Sequence, residues 1–238
     1  MRTLAIALAL AALSTSAVAQ PAAAPPASAA KGPERFAPEI AAFAAADREH
    51  MPAPCEILFT GSSSIRFWKS LAADMAPIPV INRGFGGSTI ADVDFYFDKV
   101  VAPYRPRAVV FYAGENDLSA GEAPKDVAAD FVRFMGLKDK ALGAATPVYF
   151  ISLKPSKLRW AQREQQAAVN AEIRALAAKR RDLHFVDVVP VMLEDGKPKD
   201  IYVADGLHMT PQGYALWTGV VRPVVEAEAK RPSACKAG

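Results

Sequence analysis

The sequence predicts one α/β domain in which helices cover both faces of a five-stranded parallel sheet. Three observations point there. Five short apolar runs are mostly continuous rather than alternating, longer segments of helical spacing separate them, and polar Gly/Ser/Asn clusters follow the carboxyl ends of the first four runs. A strand covered on both faces has no wet side to alternate with, so continuous runs read as parallel-sheet strands. Strands alternating with helices argue for βαβ units.

The first nineteen residues do not count toward this domain. Arg2 gives a positive start, residues 4–13 are apolar, and Ala17-Val18-Ala19 supplies a small-x-small cleavage pattern. The run is too short to span a bilayer, so residues 1–19 read as a cleaved secretory signal and the mature chain as exported, periplasmic or extracellular, with no membrane span left. A retained anchor is the alternative, and the Ala-x-Ala site argues against it. Residues 20–33 are dominated by Ala and Pro, a composition that builds no packed core and reads as an extended or disordered linker. Residues 34–238, about 200 in number, suit one well-buried domain.

Within the domain the elements follow in order. Phe36, Ile40 and Phe43 mark a helix over 34–48. The apolar runs are 56–60, 79–82, 108–113, 148–153 and 184–188. Val127, Phe131, Phe134, Met135 and Leu142 recur at helical intervals over 125–142, and Ala168, Ile173, Leu176 and Ala177 over 162–181. Thr210 before Pro211 is an N-cap followed by a first-turn proline, opening a last helix with Leu216, Val220 and Val224 inward. No internal repeat is evident.

The net charge of +3 loses only Arg2 with the signal and becomes +2, and no basic cluster stands out. Nucleic acid is therefore unsupported as a partner. Cys55 opens the first strand and Cys235 follows the last helix. If that helix runs antiparallel to the sheet, its end returns to the edge where the first strand begins. A bridge closing so long a loop would stabilise by roughly 5 kcal/mol in the chain-entropy account. Two unpaired thiols, with Cys235 on a frayed tail, are the alternative.

The polar clusters are Gly61-Ser62-Ser63-Ser64, Arg83-Gly84-Phe85-Gly86-Gly87-Ser88, Gly114-Glu115-Asn116-Asp117 and Lys154-Pro155-Ser156. In parallel α/β sheets ligands bind beyond the carboxyl strand ends, where all four loops would converge. Only three histidines exist: His50, His184 and His208. His50 ends the first helix and His184 lies near the start of a strand, both away from that edge. His208 alone falls in a loop on the functional side, three residues after Asp205. A turn of that length can bring the carboxylate to Nδ1 and leave Nε2 free for proton transfer, although a plain polar turn into a helix reads equally well. A Gly-Ser-Ser-Ser run alone is more often a flexible turn than a nucleophile, and Ile65 rules out the Gly-x-Ser-x-Gly elbow.

Together the clusters resemble the four blocks of the SGNH (GDSL-like) hydrolases. Gly61-Ser62-Ser63 is similar to their Gly-Asp-Ser block, Asn82 to Thr89 to the second, Gly114-Glu115-Asn116-Asp117 to the third and Asp205-Gly206-Leu207-His208 to the last, in family order over residues 57–214. The resemblance implies a single flavodoxin-like three-layer α/β/α domain. It implies Ser63, Asp205 and His208 as catalytic triad and the Ser63 N–H, Gly87 N–H and Asn116 amide as oxyanion hole. Trp68, seven residues after Gly61, sets that register. Ser62 departs from the usual aspartate, which leaves local turn geometry and substrate fit open.

The implied activity is a serine esterase working through an acyl-enzyme, on short-acyl or carbohydrate O-acetyl esters. The alternatives are lysophospholipase- or thioesterase-like activity, or a silent ligand-binding protein of the same fold. Arg83, Lys154 and Trp160 border the expected pocket as substrate contacts, against the alternative of a surface loop whose Trp packs on the last helices. No cofactor is expected. No metal is either, since Asp205 with His208 alone makes no zinc site. The oligomeric state is not legible.

Overall fold

The computed structural model describes residues 32–233 and 235. The expected signal (1–19) and the expected linker up to residue 31 lie outside the described residues. Pro33, placed in that linker, instead opens a 3-10 turn, Pro33–Phe36. It leads into α1 (Ala37–Glu49), which turns Ile40 inward.

The elements that follow are β1 (Ile57–Gly61), α2 (Ser63–Arg66), α3 (Leu71–Met75), β2 (Val80–Gly84), α4 (Ile90–Phe95), α5 (Phe97–Val100) and β3 (Ala108–Tyr112). Next come α6 (Glu115–Ser119), α7 (Pro124–Leu142), β4 (Val148–Ile151), α8 (Arg163–Ala177), β5 (Leu183–Val186) and α9 (Val189–Met192). A two-residue hairpin, β6 (Leu193–Glu194) with β7 (Lys197–Pro198), precedes α10 (Pro211–Lys230). The first five strands make one sheet in the order β2-β1-β3-β4-β5, every pair parallel. This is the α/β/α architecture that the run pattern predicts.

The order explains which helix covers which face. Parallel crossovers are right-handed, so reversing the direction of travel along the sheet moves the connection to the other face. The chain steps from β1 out to β2, then back past β1 to β3, β4 and β5. Leu71 and Met75 of α3 accordingly pack on one face with Tyr214, Trp217, Val221 and Val225 of α10. Val93, Phe97, Phe131, Phe134, Val169 and Ile173, from α4, α5, α7 and α8, pack on the other with Phe36 and Ile40. Strand side chains alternate between the two layers, Ile57 and Phe59 against Leu58, and Val110 and Tyr112 against Val109 and Phe111. Both layers are dry, which is why the strands read as unbroken apolar runs.

Two boundaries differ from the expected ones for physical reasons. The apolar run 148–153 outlasts β4, because Leu153 leaves the ladder yet stays buried, its amide held by Asn170 Oδ1 at 2.8 Å. In α10 the inward stripe centres on Tyr214, Trp217, Val221 and Val225, while Leu216, Val220 and Val224 flank it. The two aromatics offer more surface to bury and take the centre of the face.

Cys55, at positive φ before β1, is bonded to Cys235 beyond α10, with Cα atoms 5.6 Å apart and a separation of 180 positions in sequence. Arg107 reinforces the same corner, its Nη2 donating to the Glu228 and Arg231 carbonyls at 3.0 and 2.6 Å. Among the described residues no helix is long and apolar enough to cross a membrane.

Reduction of the native protein should add two mass units, and Cys55→Ser/Cys235→Ser should be less stable by about 2–5 kcal/mol. At ~2–4 °C of Tm per kcal/mol for a domain of this size, calorimetry should register a fall of roughly 4–20 °C.

Candidate active site

Glycine at the end of β1 decides where the first loop goes. Gly61 sits at φ +124°, and a Cβ there would lie 1.9 Å from the Tyr112 carbonyl oxygen of β3. Only glycine lets the two strand ends close like this, and the Ser62 amide then donates to that same oxygen at 2.8 Å. Ser62 becomes the N-cap residue of α2, its carbonyl accepting from the Ile65 and Arg66 amides. Ser63 is thus the first helical residue, and its N–H has no intrahelical acceptor. Of the three serines, Ser62 and Ser64 are buried and Ser63 is partly open.

The Ser63 hydroxyl meets His208. Oγ lies 2.9 Å from Nε2, and Nδ1 lies 2.6 Å from Asp205 Oδ2. A carboxylate only accepts, so Nδ1 carries the proton and Nε2 faces the hydroxyl as a base. Asp205 Oδ1 also accepts from the Leu207 and His208 amides at 2.8 and 2.9 Å, which shapes the turn that carries the ring. Partial burial alone would push this carboxyl up. The His208 hydrogen bond and the two amides outweigh burial and hold it at about 2, so it stays ionised. The arrangement lies at the surface, with the His208 side chain 26% and the Asp205 side chain 45% exposed.

Two further loops meet beside it. Gly87 follows β2 at φ +72°. The Asn116 amide in the first turn of α6 donates to the Ser88 carbonyl at 2.8 Å. Asp117 Oδ1 accepts from the Ile90 amide at 2.8 Å, a second tie between the same loops. The structure therefore brings Ser63, His208 and Asp205 into one hydrogen-bonded chain, and joins the Gly87 and Asn116 loops.

The expected substrate contacts turn out otherwise. Lys154 is fully buried and its Nζ donates to Glu115 Oε2 at 2.8 Å, because Glu115 is itself buried next to Asn116 and needs a cation. Arg83 points away toward α1, pairing with Asp47 and donating from Nε to the Tyr104 hydroxyl at 2.6 Å. Trp160 lines a concavity between α8 and the chain after β5 with Gln166, Asn170 and Val189, and its ring carries the Arg163 guanidinium. His50 caps the end of α1, and His184 stacks on Tyr149 at 4.7 Å, where burial lowers the His184 pKa.

Sequence reasoning did not give three residues the contacts the structure shows. The half-exposed Phe67 sets its ring edge-to-face on His208, centroids 4.9 Å apart. Glu115 collects Lys154, the Tyr112 hydroxyl and Gln166 beneath the site. Arg159 donates from Nη2 to Asn116 Oδ1 at 2.7 Å. The available signal for Glu115 and Lys154 was a charge at the dry end of an apolar run. Asp117, Glu122 and Asp130 also place oxygens within 4.8 Å of one another, a spacing that could hold a cation, although Arg133 already sits 2.7 Å from Asp130.

The model of the GDSL-like lipase/acylhydrolase family matches residues 56–216, spanning all the loops just described. The chain belongs to this family. No curated protein matches it in sequence. Solved structures share the fold of this GDSL-like chain. A GDSL-like lipase from Bacteroides thetaiotaomicron superposes with TM-score 0.63 at 22% identity, over 82% of this chain and 97% of that one. A carbohydrate esterase family 3 protein from Talaromyces cellulolyticus gives 0.62 at 14% identity, over 75% and 100%. An acetyl-xylooligosaccharide esterase variant from Geobacillus gives 0.60 at 14% identity, over 73% and 94%.

Behind the Asn116 loop, Asp94 has neither oxygen hydrogen-bonded, and Arg133 Nε is 3.9 Å away. Burial, with smaller contributions from Asp130 and Asp117, pushes its pKa from 3.8 to about 7. Between those values the folded chain keeps a proton that the unfolded chain releases, so stability falls as pH rises through this window and levels off above it. Asp94→Asn should therefore raise Tm by a few degrees at pH 8, with the gain shrinking at pH 5. An equal change at both pH values in thermal melts would contradict this account.

Proposed function

We propose that this family member is a serine esterase that hydrolyses short-acyl carboxylic esters, O-acetyl groups on carbohydrate foremost, through an acyl-enzyme. The observation that carries the reading is the unbroken hydrogen-bonded chain from Asp205 through His208 to Ser63. His208 takes the Ser63 proton as Oγ attacks the ester carbonyl. Asp205 holds the tautomer and stabilises the imidazolium. The developing oxyanion is met by the Ser63 N–H at the start of α2, the Gly87 N–H and the Asn116 amide. His208 then returns the proton to the leaving alkoxide, and water, activated by the same imidazole, releases the acid. Metal and cofactor have no part in this scheme.

Surface geometry supports small acyl groups on a large alcohol. The hydroxyl and imidazole are partly open; the exposed Phe67 packs on the imidazole, and the exposed Leu158 lies beside the Gly206 turn. Leu158 is held there by its amide, 2.9 Å from the Gly206 carbonyl in the Asp205 turn. The names of the carbohydrate esterase and the acetyl-xylooligosaccharide esterase among the structural neighbours point the same way. Residues 1–19 fit export, which would place such an enzyme where polymeric carbohydrate is met.

Ser63→Ala should lose nearly all turnover of p-nitrophenyl acetate, on the order of 10⁶-fold. Asn116→Ala should cost about 10²–10³ in kcat. Rates should drop steeply from acetyl to octanoyl esters, and a fluorophosphonate should label Ser63 alone, as peptide mass reads. Labelling at Ser62 or Ser64, or a preference for long acyl chains, would overturn the respective part of the reading.

A further inference from the structure

Among the described residues, Arg159 is the one cation whose partner is a side chain of the proposed oxyanion hole. Its Nη2 lies 2.7 Å from Asn116 Oδ1, while Asn116 Nδ2 lies 2.8 Å from the Ser88 carbonyl. Neither neighbour tolerates the amide turned over. A guanidinium has only donors and a backbone carbonyl only accepts, so the amide oxygen must face Arg159 and the amide nitrogen must face Ser88. One Nδ2 hydrogen is spent on Ser88, and the second remains for a ligand.

Arg159 itself is held from two sides. Its amide donates to Ser156 Oγ at 3.3 Å, and its carbonyl accepts from the Gln162 amide at 2.9 Å. One residue earlier, the Leu158 amide bonds the Gly206 carbonyl within the turn that carries His208. The 157–159 segment thus spans from the acid–base turn to the asparagine, and its two contacts set the distance between them. Elsewhere in the chain arginines of comparable burial answer carboxylates, as Arg83 does Asp47 and Arg180 does Asp182. Here the guanidinium meets a neutral amide.

We propose that Arg159 is a positioning residue of the ester hydrolysis: it locks the Asn116 amide in the donating orientation and polarises it, so that the free Nδ2–H binds the oxyanion more strongly. The inference rests on the esterase reading above and deepens it. Charge on Oδ1 draws electron density from the nitrogen, and a charge-assisted bond holds its geometry better than a neutral one. The benefit grows as the carbonyl oxygen becomes negative, so it falls on the transition state and not on the bound ester.

The test is a cycle of variants with p-nitrophenyl acetate. Arg159→Ala should lower kcat roughly 10- to 100-fold, the range for loss of a charge-assisted hydrogen bond, with KM changed less than about twofold. In an Asn116→Ala background the same change should cost little more, since the group it acts through is gone. Arg159→Lys should recover part of the loss. A rise in KM at constant kcat, or costs that multiply in full in the double variant, would overturn the proposal and make Arg159 a substrate contact or a separate structural residue. A second readout is independent of turnover. The Asn116 side-chain amide resonances, identified by their absence in Asn116→Ala, should shift and exchange faster with water in Arg159→Ala. Unchanged resonances would overturn the proposal whatever the enzyme hydrolyses, whereas failure of the wild type to cleave esters or to be labelled at Ser63 would count against the esterase reading alone.

Discussion

The whole candidate site depends on how closely the ends of β1 and β3 approach each other. With no side chain on Gly61, the chain leaves β1 hard against Tyr112, and the Ser62 amide is captured by the Tyr112 carbonyl. That contact sets the start of α2, hence the direction of the Ser63 N–H and hydroxyl. It also places Ser63 next to the loop after β3, where Asn116 begins α6. A methyl group at Gly61 would have to push the strand ends apart, and Ser63 and Asn116 would separate with them.

Beneath this contact lies a polar layer that an apolar core would not provide. Glu115 is buried beside Asn116 and satisfied by Lys154, Gln166 and the Tyr112 hydroxyl. Burial and the Glu115 charge push the Tyr112 hydroxyl well above its ordinary pKa, so it stays a donor. Such a network is costly if any member is missing, since each partner would be left charged or unpaired in a dry site. Its effect is to fix the helix start that carries Asn116 from below, while Arg159 and Ser88 fix the side chain from above. Asp94 and Asp117 are less well served: burial outweighs every other influence on both, and each is held near pKa 7.

Much of the fold was legible because burial leaves a direct mark on sequence. Strands enclosed on both faces show as continuous apolar runs, and α7 shows as Val127, Phe131, Phe134 and Met135 at intervals of three and four. Strand ends were read less well, since Leu153 is as apolar as Ile151 but outside the ladder. The candidate site was legible as four loops because glycine, serine and asparagine cluster where the backbone turns sharply. What each long charged side chain does was not legible. Arg83 and Lys154 stand beside the right loops in sequence, yet one side chain runs back to α1 and the other runs inward to Glu115.

The amino-acid sequence by itself determined the α/β class, the parallel order of strand and helix, and the group of residues at one sheet edge, because local periodicity and turn chemistry depend on near neighbours. Only the tertiary structure decided that the cysteines meet 180 positions apart and that Arg159 reaches Asn116, and it sets Ser63, the serine that the Trp68 register singles out, against His208. Those contacts join segments far apart in the chain, and a flexible cation or hydroxyl has several partners within reach until packing leaves it one.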